Sequence, residues 1–155
     1  MATITPASTP GDVGEARALF LEYGASLGFS LCFQGFDAEP TELPGAYDPP
    51  LGRLLLARVE GAVAGCVALR PIGDDICEMK RLFVRPSFVG QGLGRQLAAA
   101  IIREGTVAGY LAMRLDTVPS MTAALALYAS LGFQDIPPYR ENPIEGARYL
   151  ELPLR

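Results

Sequence analysis

The stretch Arg81-Leu82-Phe83-Val84-Arg85-Pro86-Ser87-Phe88-Val89-Gly90-Gln91-Gly92-Leu93-Gly94-Arg95 decides how this chain is read. A strand-like apolar run stops at Pro86, glycines follow at 90, 92 and 94, and a helical pattern begins at once. Glycine tolerates positive φ and lets a backbone approach a ligand closely. Free amides at a helix start, backed by the helix dipole, attract anions. The segment therefore reads as a strand, a phosphate-cradling loop and a helix. It is not a P-loop, because Arg95-Gln96 follows Gly94 where Lys and Ser/Thr are required. Nor is it the dinucleotide fingerprint, since Gly92 and Gly94 are too close. A glycine-rich loop alone is more often a plain turn, so support is needed elsewhere.

Support comes from Leu115-Asp116-Thr117, followed by Ala124-Leu125-Ala126-Leu127-Tyr128 and Gly132-Phe133. Taken in order, the two motifs resemble the GNAT family of N-acetyltransferases. That family cradles the coenzyme A pyrophosphate with Arg/Gln-x-x-Gly-x-Gly/Ala, and its later signature is a strand, a helix bearing Ala-x-x-Leu/Phe-Tyr, and Gly-Phe. The resemblance covers residues 53–135 well and the N-terminal third only loosely. Two positions depart from the pattern. Val89 stands where Arg or Gln is usual, and Met121 stands where many relatives carry a cofactor-contacting Asn.

The resemblance implies an acetyl-CoA-dependent N-acetyltransferase that uses direct transfer in a ternary complex and no metal. The acceptor it implies is an amine of a small molecule or protein. Backbone amides of Leu82, Phe83 and Val84 would bind the pantetheine arm and acyl carbonyl. Those of Val89, Gly90, Gln91, Gly92, Leu93, Gly94 and Arg95 would hold the pyrophosphate. Tyr128 matches the family's general acid, and a phenol of pKa near 10 is protonated at neutral pH. Glu78, six residues before Val84, matches the general base of histone-type relatives. By strand alternation it would share a face with Lys80, Leu82 and Val84. Asp116 is a weaker alternative base. Structural readings stand beside these: a core strand, a core aromatic, and a surface salt bridge from Glu78 to Lys80 or Arg81. A non-catalytic acyl-CoA-binding or regulatory module on the same fold is the competing function.

Composition narrows the chemistry. The chain has 155 residues, consistent with one acyl-CoA N-acyltransferase domain over 1–155. It contains no histidine, which removes Ser-His and Cys-His nucleophile pairs and imidazole zinc sites. Cys32, Cys66 and Cys77 have no motif spacing and read as reduced thiols. No signal peptide or membrane-length apolar run is evident, so a cytoplasmic protein without a membrane partner is expected. A net charge of −4 argues against nucleic acid as a partner. Lys80, Arg81, Arg85, Arg95 and Arg103 surround the glycine loop in sequence, while residues 12–48 are rich in acids. That division suits an anionic cofactor in one half and a cationic acceptor near the other. A homodimer is left open, because many members of the family pair through strands or helices.

The patterns along the chain predict β-α-α-β-β-β-α-β-α-β-β, a mixed α/β sheet flanked by helices. The first helix starts at Pro10 and Asp12, with Val13, Ala16, Leu19, Phe20, Tyr23 and Leu27 on its buried stripe. A second is expected within 29–42. Arg53–Val59 and Ala62–Pro71 form a hairpin about Glu60-Gly61, and Ile76–Val84 completes the meander. A helix from Gly92 to about Ala108 follows, with Leu93, Leu97, Ala100 and Ile101 inward. Then come a strand at 111–117, a helix with Pro119 in its first turn and Gly132 at its cap, and two closing strands.

Overall fold

The computed structural model describes residues 2–26, 47, 49, 51–117, 122–139 and 146–154. The described elements are β1 (Ala2–Pro6), α1 (Pro10–Ser26), β2 (Arg53–Val59), β3 (Ala62–Pro71), β4 (Ile76–Val84), α2 (Leu93–Val107), β5 (Ala112–Thr117), α3 (Thr122–Ser130), β6 (Gln134–Asp135) and β7 (Arg148–Pro153). This is the expected mixed α/β order. The helix anticipated within 29–42, and Leu27, Cys32, Pro119 and Met121, lie outside the described residues.

The strands form one seven-stranded sheet in the order β1-β2-β3-β4-β5-β7-β6. All neighbours are antiparallel except β4 and β5, which run parallel. The β2–β3 hairpin turns on Glu60 and Gly61 at φ 51° and 84°, which fits a type I′ turn and its match to strand twist.

Each face of the sheet carries its own apolar cluster. On one face Ala16, Leu19 and Phe20 of α1 pack on Leu54, Leu56, Cys66 and Ala68. On the other, Leu97, Ala98, Ala100 and Ile101 of α2 pack on Leu55, Val67, Leu69, Cys77 and Met79. These contacts come from Ala16, Leu19 and Phe20 of the first stripe read from the sequence and from Leu97, Ala100 and Ile101 of the second. Thr9 and Asp12 start α1 as a capping box: the Asp12 amide donates to Thr9 Oγ1 at 3.0 Å, and the Thr9 amide donates to Asp12 Oδ2 at 3.3 Å. The Ser8 amide adds a further bond at 3.1 Å. These amides, with the Arg58 guanidinium, hold the Asp12 carboxyl below its ordinary range.

The register shifts between Ala57 and Arg58 in the β2–β3 pair, and again in β4 against β3. Cys66 pairs with Phe83 and Ala68 with Lys80, so Arg81 and Leu82 together face Val67 alone. This is a β-bulge. Arg81 takes up the extra residue at φ 58°, a left-handed conformation rare outside glycine. The Cys66 thiol donates to the Arg81 carbonyl at 3.3 Å.

The bulge overturns one expectation from simple alternation. Cross-strand partners share a face. Arg70 partners Glu78 and Ala68 partners Lys80, on the α1 side with Phe83. Leu82 and Val84 pack instead against the α2-side cluster. Glu78 and Lys80 therefore do not share a face with Leu82 and Val84, because the extra residue reverses the alternation.

Beyond the bulge, β4 presses against Gly65. A Cβ at that glycine would lie 2.5 Å from the Phe83 carbonyl oxygen, 3.2 Å from Leu97 Cδ1 and 3.3 Å from Val84 Cα. The closest obstacle is backbone and cannot rotate aside. Gly65→Ala should therefore destabilise the protein by about 1–3 kcal/mol through overpacking. Urea unfolding would measure it, and a loss under about 0.5 kcal/mol would show that β4 moves freely.

Candidate active site

Strands β4 and β5 pair only at their beginnings: Ile76 with Ala112, Cys77 with Met113 and Glu78 with Arg114. Among the described residues the parallel ladder stops there, and the C-terminal halves of the strands part. Backbone groups on the facing edges of a parted pair need partners. Ligands of open α/β sheets bind at such places, beyond the carboxyl ends of strands.

Leu82, Phe83 and Val84 lie on the β4 side of this opening and are all partly buried. From Val84 the chain passes through a 3-10 turn at Pro86–Phe88 to the glycines. Gly90 and Gly92 have φ of 92° and 80° and need glycine's freedom. Gly94 does not; it lies inside α2, where an added Cβ would come within 3.8 Å of Leu127 on α3. That is an ordinary contact distance, so neither backbone nor packing demands glycine there. Gly92 caps α2, and the amides of the helix's first turn have no intrahelical acceptors. Val89, Gly90, Gln91, Gly92 and Arg95 are exposed, while Leu93 is buried beneath them. Space, free amides and a dipole are what a pyrophosphate requires, so the loop fits that group. Val89 offers no charge, and its side chain is 67% exposed.

The cations named from the sequence do not all serve this loop. Lys80 and Arg81 are buried in β4. Arg85 is bound to Glu22 of α1, with Nη2 to Oε2 at 2.7 Å, and this bond raises its already high pKa. Arg95 Nη2 donates to Ser130 Oγ at 2.6 Å, tying α2 to α3. Part of the acid-rich region is likewise structural: Glu22 holds Arg85 and Asp12 holds Arg58 at 2.9 Å. Asp37, Glu39, Glu42 and Asp48 lie outside the described residues.

Tyr128 is buried near the end of α3. A Schellman motif ends that helix: the Phe133 amide donates to the Tyr128 carbonyl and the Gly132 amide to that of Ala129, both at 3.1 Å. Gly132 takes the left-handed position at φ 100°. The hydrophobic contact that accompanies this cap is the edge-on pair of Tyr128 and Phe133, with ring centroids 5.7 Å apart. Leu127-Tyr128…Gly132-Phe133 is thus a clamp on the Tyr128 ring. Burial pushes the phenol well above its ordinary pKa, and Tyr23 of α1 adds to the rise. Tyr23 also packs edge-on against Phe83 at 5.9 Å, so α1, β4 and α3 meet around one opening.

Glu78 is fully buried, not a surface residue. Its Oε1 accepts from Arg70 Nε at 3.1 Å and lies 3.0 Å from Arg70 Nη2 and 3.9 Å from Lys80 Nζ. Its Oε2 accepts from the Tyr139 hydroxyl at 2.6 Å. Burial pulls the Lys80 ammonium down to about 8, against the opposing pull of Glu78. Asp116, the weaker candidate, is partly exposed on β5 and acts on Lys80 electrostatically. Cys77 is inert as a nucleophile, since burial pushes its thiol up to about 12. Among the described residues no cluster of Cys, Asp and Glu could hold a metal, and no helix is long and apolar enough to cross a membrane.

The sequence patterns missed Arg70 and Tyr139. Arg70 reaches Glu78 through the β3–β4 register, and Tyr139 through the return from β6 to β7. The parity of β3 could have suggested Arg70. Nothing around Tyr139 points to Glu78, 61 positions away.

The description of the GNAT acetyltransferase family fits residues 23–133. The chain belongs to that family. Related proteins and structures agree with this membership. An uncharacterised N-acetyltransferase of Schizosaccharomyces pombe is 40% identical over 154 residues, covering 98% of this chain and 94% of that protein. A GNAT acetyltransferase from Elizabethkingia anophelis, solved with acetyl-CoA bound, superposes with a TM-score of 0.68 at 25% identity, covering 98% of this chain and 97% of that one. A Staphylococcus aureus GNAT acetyltransferase reaches a TM-score of 0.80 at 15% identity over the full length of both chains, a likeness of fold. This GNAT protein is accordingly an acyltransferase.

Proposed function

We propose that this GNAT protein transfers an acetyl group from acetyl-CoA directly to an amine of a small molecule or protein, with residues 1–155 acting as one domain. The observation that carries the proposal is the parting of β4 and β5 beside a clamped, buried Tyr128. Acetyl-CoA would supply the thioester. Amides from Gly90 to Arg95 would hold its pyrophosphate, the Val89 amide being taken up by the Pro86 carbonyl at 3.4 Å, and the free edge of Leu82, Phe83 and Val84 would bind its arm and acyl carbonyl.

Tyr128 would serve the departing thiolate. Its phenol stays protonated throughout the neutral range, so it always presents a donor. A thiol has a pKa of about 8.5, below that of the phenol, so outright proton transfer from Tyr128 is uphill. A hydrogen bond to the developing charge is therefore its first contribution; a proton passed to the sulfur as the thiol forms would be replaced by the one the amine nitrogen gives up, returning Tyr128 to its neutral form. Glu78 would take the proton of the amine, directly or through water. The reversed parity of β4 suits this division, with Glu78 on the α1 side and Leu82 and Val84 on the other.

A non-catalytic acyl-CoA-binding module predicts binding without turnover, so both should be measured. Gly92→Val forces a β-branched residue into a left-handed position at the start of α2. It should abolish CoA binding by calorimetry while the far-ultraviolet dichroism of the fold persists. Unchanged affinity in the folded variant would remove the loop from the site.

Tyr128→Phe should lower turnover by about 10²-fold or more and spare acetyl-CoA affinity, because only the donor is lost. Wild-type single-turnover rates would exclude the hydroxyl from the chemistry.

Glu78→Gln should lower the rate by about 10²–10⁴-fold. The loss should be greatest at low pH, where little free amine exists, and recover in part as pH rises. A wild-type rate and pH profile with the fastest amine of a broad panel would leave Glu78 a structural group.

A further inference from the structure

We propose that Tyr139 is a positioning residue for Glu78, holding its carboxylate ionised and oriented. The proposal rests on the reading of Glu78 as the base. It starts from geometry. The Tyr139 hydroxyl donates to Glu78 Oε2 at 2.6 Å, in the short range of charge-assisted O–H···O⁻ bonds. Arg70 engages the other oxygen, Oε1. The two oxygens are thus held from two different elements, β3 and the segment after β6, and the carboxylate cannot rotate without losing a partner.

Tyr139 is itself held. Its ring packs edge-on against Tyr149 of β7, centroids 5.5 Å apart. The Arg114 guanidinium lies 5.4 Å from the ring centroid on β5. Arg114 is in turn fixed to Glu151 of β7 at 3.0 Å. Glu78 and Arg114 form the last pair before β4 and β5 separate. Tyr139 therefore closes the paired end of the opening, and its hydroxyl links that end to the carboxylate.

The charged surroundings of Glu78 come from several elements. Arg70 of β3, Lys80 of β4 and Tyr139 after β6 reach the carboxylate itself; Arg81 of β4 and Asp116 of β5 act on Lys80, and Arg114 of β5 lies against the Tyr139 ring. Tyr139 differs from the cations in being neutral. Removing its hydroxyl takes away a donor to the ionised carboxylate without changing the number of charges. The sign follows directly. A donor to the charged form favours that form, so its loss moves protonation of the carboxylate to higher pH.

Tyr139→Phe keeps the ring and its contacts, so the fold should survive. The acid limb of the kcat/KM profile should move up by about one pH unit or more, an approximately tenfold loss at low pH that fades as pH rises. The rate would be read with whichever of spermidine, tryptamine, L-aspartate or an alanyl peptide is turned over fastest. In a Glu78→Gln background the same substitution should have little further effect, because the two act as one unit. A direct titration needs no acceptor: the Glu78 ¹³Cδ resonance, identified by its loss in Glu78→Gln, should titrate at higher pH in Tyr139→Phe. The same midpoint in both proteins, or no titration in either, overturns the proposal. An equal rate loss in both backgrounds also overturns it. If instead the resonance moves but Glu78→Gln retains the wild-type rate and profile, the base assignment fails while the contact stands.

Discussion

The structure depends on a sheet that must remain continuous at one end of β4 and open at the other. Three pairs join β4 to β5, and beyond Glu78 and Arg114 the strands separate. The bulge at Arg81 occurs three residues after the last pair, turning β4 while its bonds to β3 continue. Gly65 then lets the turned strand lie against β3 at a distance that excludes even a methyl group. A non-glycine residue in the left-handed region costs on the order of 1 kcal/mol. That cost is borne by an arrangement that leaves Leu82, Phe83 and Val84 outside the β4–β5 ladder, where the proposed acetyl-CoA site lies. In an uninterrupted ladder those backbone groups would be satisfied by β5.

Local chain chemistry then fixes a distant ring. Tyr128, Gly132 and Phe133 form one helix cap, and the ring contact within it belongs to the cap. The tyrosine's position is therefore set largely by residues within five of it. Burial has two consequences for its hydroxyl. It keeps the phenol protonated over the neutral range, and it removes competing water from any charge that forms nearby. Gly94 faces Leu127 of α3, and Arg95 and Ser130 bond across the two helices. The glycine loop and the tyrosine helix, separate motifs in the sequence, are thus one packed unit.

The elements were legible because periodicity and turn chemistry are local. Apolar runs about the Glu60-Gly61 turn marked β2 to β4, the stripe of Leu93, Leu97, Ala100 and Ile101 marked α2, and Gly132 marked the cap of α3. The bulge was hidden, because Lys80-Arg81-Leu82 carries no glycine to announce a left-handed residue. Missing it placed Glu78 on the wrong side relative to Leu82 and Val84. Charge pairing was hidden for another reason. A carboxylate finds its partner through space, so Glu22 with Arg85 and Glu78 with Tyr139 could not be read from spacing. The acids of α1 therefore looked like acceptor recognition when at least two of them serve to hold the fold.

Lys80 is a measure of what this interior does to an amine. It sits on the α1 face beside Glu78, and burial brings its ammonium down to about 8 even though Glu78 opposes the change. Desolvation outweighs attraction there. A primary ammonium group brought into the same surroundings would meet the same penalty and give up its proton more readily than in water. Nucleophilic attack on a thioester requires the neutral amine. The burial that forces Glu78 to recruit Arg70 and Tyr139 would thus favour the reactive form of an acceptor. A buried ionic network of this kind is an expensive way to stabilise a fold. Its presence beside the opening between β4 and β5 accords with the proposed role of Glu78 as the base.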